Sequence, residues 1–119
     1  MKFYKCQKCG KVLAQDELPE NTEDMVELIP NTTDAAGEKH VPVVTVNGSE
    51  VGVVVGAVEH PMLEAHYITF IVLETTAGYQ KKALKPGEKP AAVFTLAEGE
   101  KAVAAYEYCN LHGLWKASV

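Results

Sequence analysis

The chain has 119 residues, of which 47% are hydrophobic and 23% charged, and its formal net charge is -5 at pH 7. This length suits one domain with its own core and leaves room only for a small appendage. No apolar run is long enough to span a bilayer, and an acidic protein lacks the basic face that binds nucleic-acid phosphates. We therefore expect neither a membrane nor a nucleic acid as a partner. The first residues show no apolar signal stretch, and an odd number of cysteines argues against a disulfide framework, so we expect a cytoplasmic protein.

The first third of the chain differs from the rest. It carries two prolines and many acidic residues, and it begins with a Cys-x-x-Cys knuckle, Cys6 and Cys9, followed by Gly10. We assign residues 1–30 to a small N-terminal β appendage. Residues 31–119 form the main domain, which opens with a linking loop at about 31–39.

From about residue 41 onward, short runs of β-branched and aromatic residues alternate with turn residues, and no helical periodicity is present. Asn47-Gly48 between the first two runs is a strong hairpin signal. The predicted strands cover 41–46, 51–55, 66–75, 79–84, 92–96 and 102–108. About seven strands with short turns predict an all-β protein, an antiparallel β-sandwich of immunoglobulin-like type.

Candidate metal ligands lie at the ends of these strands. Cys109 and His112 are three positions apart in the loop after the last predicted strand. Loop ends on a rigid sheet are good ligand platforms, so the remaining histidines fit the same site. These are His40, His60 and His66. Four imidazoles and one thiolate form a set suited to redox chemistry rather than to structural work.

The choice of metal depends on ligand number. Zinc usually has four ligands in tetrahedral geometry, so five donors exceed its usual coordination number. Blue copper uses two histidines, a cysteine and a weak axial methionine, but Met62 is the only methionine of the sandwich. Iron accepts a square of four imidazoles above a thiolate, with a sixth position open. Two alternatives stay open: a non-catalytic electron carrier with copper or iron, and a metal-free or zinc-stapled adhesion-like module.

Several motifs resemble those of one family, the superoxide reductases, also known as desulfoferrodoxins and neelaredoxins. They occur in the family's order over about residues 31–119. The motifs are Glu38-Lys39-His40-Val41-Pro42, His60-Pro61-Met62 with His66-Tyr67, Leu84-Lys85-Pro86-Gly87, and Glu107-Tyr108-Cys109-Asn110-Leu111-His112-Gly113 with Trp115-Lys116. The resemblance implies an immunoglobulin-like sandwich with one mononuclear non-haem iron per chain. Its equatorial ligands would be His40, His60, His66 and His112, with Cys109 axial.

The resemblance also implies a reaction and its partners. Superoxide would be reduced by one electron to hydrogen peroxide, with a rubredoxin-like electron donor and a homodimeric enzyme. Glu38 would occupy the sixth iron position in the resting ferric state, and Lys39 would lie near the open ferrous site. We expect Lys39 to help deliver a proton and Glu38 to close the site afterwards. An acidic donor could dock on exposed lysines, namely Lys81, Lys82, Lys85, Lys89 and Lys116.

The N-terminal knuckle departs from the family pattern. Fuller members resemble desulforedoxin there and hold a second iron with four cysteines, of which the last two are adjacent. In this chain those two positions fall near Glu20 and Asn21, so we expect no second iron centre unless one is shared across a dimer. Two thiolates cannot complete a tetrahedral site. Cys6 and Cys9 are therefore a vestige, a reversible disulfide, or half of a zinc or iron site shared by two chains.

Overall fold

The computed structural model describes residues 1–18 and 22–119. These residues form strands and one short helix in the following order: β1 (Phe3–Cys6), β2 (Val12–Ala14), β3 (Met25–Leu28), α1 (Gly37–His40), β4 (Pro42–Asn47), β5 (Glu50–Val55), β6 (Ile68–Thr75), β7 (Gly78–Ala83), β8 (Ala91–Thr95), β9 (Ala102–Cys109) and β10 (Gly113–Ser118). This nearly all-β architecture confirms the predicted fold class. No helix among the described residues is long and apolar enough to cross a membrane.

The seven strands from β4 onward form two antiparallel sheets. The larger has the order β10-β9-β6-β7 and the smaller the order β4-β5-β8. The six predicted strands correspond to β4 through β9 within two residues at each end. The Asn47-Gly48 turn joins β4 to β5, and Gly48 adopts the left-handed φ of 62° that such a hairpin requires. The seventh strand, β10, agrees with the predicted number of about seven, but the sequence analysis gives no bounds for it.

The main core fills the space between the two sheets. In β5, Val51, Val53 and Val55 are fully buried, whereas Val54 between them is 45% exposed, as the alternation of a half-buried strand requires. The larger sheet supplies the opposing side chains, which include Ile68, Ile71, Leu73 and Ala105. This core fixes the strand ends that carry the candidate ligands.

A third sheet, of order β2-β1-β3, covers the outer face of the larger sheet. Phe3 of β1 is 1% exposed; its ring stacks on Phe70 of β6 at 6.0 Å and tilts against Tyr106 of β9 at 4.9 Å. Strands β6 and β9 are therefore buried on both faces. The division of the chain at about residue 30 stays a prediction.

Candidate metal centre

The five residues singled out as ligands lie together at one end of the sandwich. His40 ends α1, Cys109 ends β9, and His112 lies in the turn before β10. His60 and His66 belong to the connection between β5 and β6. The ligand atoms of all five residues lie within 4.8 Å of one another. The strand ends that the core fixes thus bring distant parts of the sequence to one point.

The four imidazoles form a closed square. Ring centroids are 4.6 Å apart between His40 and His60, and 4.7 Å apart between His60 and His66. The distances from His66 to His112 and from His112 back to His40 are both 4.9 Å. Cys109 Sγ lies 4.0 Å from His112 Nδ1. Four rings around a common centre with one sulfur beside them match a five-ligand site better than a tetrahedral one.

The ring nitrogens show that the site fits a metal ion. His60 Nδ1 lies 2.6 Å from the carbonyl oxygen of Pro61, so Nδ1 carries the proton and Nε2 keeps a free lone pair. His60 Nε2 and His66 Nε2 are buried without a hydrogen-bond partner. Leaving such a group unsatisfied costs about 1–3 kcal/mol, and coordination to a metal would satisfy both nitrogens.

The electrostatics of the site favour the ligating forms of the histidines. Burial, with the neighbouring imidazoles, lowers the pKa of His40 from 6.5 to about 4. Burial also lowers the pKa of His60 and of His66. Burial raises the pKa of the Cys109 thiol, so the thiolate needs a cation beside it to form. The pocket therefore favours neutral imidazoles at His40, His60 and His66 and holds a thiol that would lose its proton on metal binding.

Two residues that the sequence analysis quotes within motifs, without giving them a role, lie against His40. Trp115 of β10 and Glu107 of β9 are cross-strand partners. The Trp115 ring stacks on His40 at 4.9 Å with an interplanar angle of 13°, and its Nε1 donates to the His112 carbonyl at 3.0 Å. Glu107 is fully buried, its Oε1 lies 3.6 Å from His40 Nδ1, and burial raises the pKa of its carboxyl. The sequence feature that could have indicated Glu107 is that it is the single charged residue within the apolar strand Ala102–Cys109.

Glu38 and Lys39 lie on α1 immediately before His40, and both are exposed. The positive charge of Lys39 contributes to the lowered pKa values of His40, His60 and His66, so its ammonium group acts on the imidazole square.

Gly56 determines how closely α1 can approach the sandwich. A Cβ at that position would lie 2.8 Å from the Glu38 carbonyl oxygen and 3.1 Å from that of Val41. The Val58 amide then donates to the Glu38 carbonyl at 2.8 Å. A glycine therefore lets the backbone of α1 pack directly against the turn after β5.

The lysines predicted to dock an electron donor do not all lie on one face of the sheet. In the register of β6 and β7, Lys81 pairs with Val72 and Lys82 with Ile71, so the two side chains point to opposite faces of the sheet. Lys81 lies over the Phe70 ring at 4.6 Å. Lys89 instead lines a cleft of about 490 Å³ together with His60, Pro61, Met62, Glu59, Gly87 and Glu88. Of the predicted cluster, Lys89 is the member shown to share a cleft with a candidate ligand.

Cys6 ends β1, Cys9 lies in the turn between β1 and β2, and neither forms a disulfide. The Cys9 amide donates to Cys6 Sγ at 3.3 Å. Within residues 1–18 and 22–119, no third histidine, cysteine or carboxylate joins them in a cluster that could hold a metal. Glu20 and Asn21, near which the family's adjacent cysteines would fall, lie outside the described residues.

Comparison with known proteins agrees with this arrangement. The model of the desulfoferrodoxin family matches residues 32–118. The chain belongs to the desulfoferrodoxin family. The desulfoferrodoxin of Desulfarculus baarsii is 46% identical to it, over 98% of this chain and 95% of the relative.

Solved structures extend the likeness to the fold. The superoxide reductase from Treponema pallidum superposes with a TM-score of 0.84 at 37% identity and covers 98% of both chains. The one-iron superoxide reductase from Giardia intestinalis has a TM-score of 0.60 at 36% identity, and the match covers 69% of this chain and 97% of that one. The predicted family and fold are confirmed, and the structural neighbours support an oxidoreductase.

Proposed function

We propose that this desulfoferrodoxin is a superoxide reductase, which converts superoxide to hydrogen peroxide with one electron and two protons. The observation that carries the proposal is the closed square of four imidazoles beside Cys109. His40, His60, His66 and His112 would hold an iron ion with Cys109. Ferrous iron bound there supplies the electron for superoxide.

The donor set and its surroundings attract an anionic substrate. Four neutral imidazoles and one thiolate leave a divalent cation with a single net positive charge. Lys39 adds an ammonium group whose charge reaches three of the four imidazoles. Local attraction of this kind raises the rate of association even when the whole protein carries a net charge of -5. The thiolate of Cys109 is the strongest electron donor of the set and favours transfer of the electron to superoxide.

Two protons must reach the product before it leaves as hydrogen peroxide. Lys39 is exposed and adjoins His40, so its ammonium group can pass a proton through water to a substrate over the square. Glu38 lies on the same turn, and its carboxylate would close the site once the product has left. Cys109 and His60 are buried, which keeps bulk water from the inner side of the site.

The first experiment is to purify the protein, measure bound metals and record its visible spectrum before and after oxidation, in wild type and in Cys109→Ser. About one iron per chain, with a thiolate-to-ferric band that disappears in the variant, supports the proposal. The next step is an assay in which superoxide yields hydrogen peroxide without the dioxygen that a dismutase releases. Copper, zinc alone or a colourless protein would overturn the proposal. A copper carrier would also keep its spectrum in His40→Ala, because copper needs only three of these ligands.

Lys39 has its own test. Lys39→Ala should slow the reaction with superoxide about tenfold or more, because steering and proton delivery are both lost. Lys39→Arg keeps the charge and should retain the association rate. Lys101→Ala removes an exposed lysine elsewhere and serves as the matched control. Equal rates in all three variants would exclude a role for Lys39.

A rubredoxin-like electron donor would dock at the cleft that Lys89 and His60 share, because this cleft reaches a ligand of the site. Lys85, whose amide donates to Glu88 Oε1 at 2.7 Å, adds a second positive charge beside the cleft, where Glu59 and Glu88 carry negative charges. Replacing both lysines by glutamine should slow reduction of the ferric protein by reduced rubredoxin at low salt and have little effect at high salt. Lys101→Gln is the control, and an unchanged rate would place the docking face elsewhere. The homodimer and the cytoplasmic location stay predictions, of which sedimentation tests the first.

A further inference from the structure

The cysteine hairpin, residues 6–10, takes no part in the proposed reaction but has a defined geometry. Its backbone is fixed by hydrogen bonds from the Cys6 amide to the Lys11 carbonyl and from the Gly10 amide to the Cys6 carbonyl, both at 2.8 Å. Gly10 has a φ of 75°, which only glycine adopts without strain. The turn therefore holds the two cysteines in one arrangement.

The backbone of Cys9 contacts the Cys6 sulfur directly. The Cys9 amide donates to Cys6 Sγ at 3.3 Å. Hydrogen bonding from Cys9 and from the Lys8 backbone lowers the pKa of Cys6 below its ordinary value. Cys9 is exposed and Cys6 half-buried, so solutes can reach the pair. Cys109 is the opposite case, because it is fully buried and its thiol pKa is raised.

The hairpin and the loop that follows Cys109 border the same cleft. Gly10, which follows Cys9, and Asn110, which follows Cys109, both line a cleft of about 280 Å³ between the N-terminal sheet and the larger sheet. The hairpin therefore lies close to the Cys109 loop.

We propose that Cys6 and Cys9 form a peroxide-reactive dithiol, in which Cys6 is the nucleophile and Cys9 the resolving thiol. The source of the peroxide rests on the proposed function, since hydrogen peroxide is the product of superoxide reduction. The reactivity of the pair rests on the hairpin geometry and on the exposure of the two cysteines, and it does not depend on the proposed function. The sequence left three alternatives for Cys6 and Cys9: a vestige, a reversible disulfide, and half of a metal site shared by two chains. Reactivity with peroxide distinguishes them, because a vestige does not react and a shared metal site protects its thiols.

The reaction balances in two steps. The Cys6 thiolate attacks one oxygen of hydrogen peroxide, an S–O bond forms, the O–O bond breaks, and hydroxide leaves to take a proton and become water. The Cys9 thiolate then attacks the oxidised sulfur, the S–S bond forms, and the second oxygen leaves as water. Two thiols are oxidised to one disulfide, and one peroxide is reduced to two waters. A dithiol reductant returns the pair to its starting state.

The test adds hydrogen peroxide to the reduced, iron-loaded full-length protein, with iron content followed throughout. Peptide mapping should show a reversible loss of two hydrogen atoms in the peptide that contains Cys6 and Cys9, and dithiothreitol should restore it. Cys9→Ser should stop at a sulfenic acid on Cys6, which dimedone traps. Cys6→Ser should consume peroxide at the hairpin at least tenfold more slowly. These two variants carry the same number of thiols and are matched controls for each other.

Three outcomes would overturn the proposal. They are unreacted thiols at both positions, equal peroxide reactivity of Cys6→Ser and Cys9→Ser, and hairpin thiols held by half an equivalent of zinc or iron per chain. Because the peroxide is added, a protein that fails to reduce superoxide can still give the expected disulfide. A protein that does reduce superoxide can equally fail this test, so the two proposals fail separately.

Discussion

Gly56 offers a direct test of how the fold positions the metal centre. The substitution Gly56→Ala adds one methyl group, and this group meets only backbone atoms of the segment that carries Glu38, Lys39 and His40. The φ of Gly56 lies outside the left-handed region that favours glycine. The expected effect is therefore steric and falls on α1.

The size of the effect follows from the distances. A Cβ at Gly56 would lie 2.8 Å from the Glu38 carbonyl oxygen, whereas ordinary contacts begin near 3.4 Å. Segment 38–41 must therefore move by about 0.6 Å, which exceeds the tolerance of about 0.5 Å for a working site. We expect a loss of about 1–3 kcal/mol in the free energy of unfolding, the usual cost of overpacking. The rate of superoxide reduction should fall about tenfold or more, since a 1 Å misplacement costs roughly 100-fold.

The measurements are urea unfolding, iron affinity by competition with a chelator, and the superoxide rate. Gly52→Ala is the matched control, because Gly52 lies in β5 and its added Cβ would meet nothing closer than the Thr45 carbonyl oxygen at 3.9 Å. It should leave all three quantities nearly unchanged. If Gly56→Ala behaves like the control, α1 is not held by this contact and the positioning argument is wrong.

Three further predictions concern the surroundings of the site. Glu107→Gln should lower iron affinity about 10- to 100-fold in a chelator competition, and an unchanged affinity would leave the carboxylate without a role. The metal-free Glu107→Gln variant lacks the carboxyl whose raised pKa would change stability with pH in the opposite direction to His40. The pKa of folded His40 is about 4, so the variant's free energy of unfolding should fall as the pH is lowered from 6.5 to about 4. The expected loss in urea unfolding is on the order of 3 kcal/mol. A flat profile would contradict this. Phe3→Ala should cost about 3–5 kcal/mol in urea unfolding, and a loss under about 1 kcal/mol would mean that the N-terminal sheet packs loosely.

The sequence predicts the strand ends and the meeting of the five donor residues well because both depend on local patterns. Asn47-Gly48 specifies its hairpin by backbone geometry alone, and the alternation of Val51, Val53 and Val55 marks the face that meets the core. The five donor residues are rare types placed at strand ends, so their meeting follows once the sandwich is assumed. The motif resemblance then supplies the metal and the reaction.

Long-range packing is what the sequence does not reveal. Glu107 and Trp115 contact His40 only because β9 and β10 pair in a register that brings them opposite each other. The pattern of β9 gives no sign that its second face is covered, since the covering sheet comes from the other end of the chain. The role of Gly56 is equally hidden, because it depends on the approach of a helix 16 to 19 residues earlier in the sequence.

The anchoring of the N-terminal sheet has a consequence for substitutions in the hairpin. Phe3 belongs to the aromatic cluster with Phe70 and Tyr106, whereas residues 6–10, all described, take no part in that cluster. Different residues of the N-terminal appendage thus anchor it to the sandwich and carry its thiols. Substitutions that gain or lose thiols in the hairpin leave the anchoring rings untouched. Gain or loss of the hairpin thiols should therefore leave the attachment of the N-terminal sheet intact.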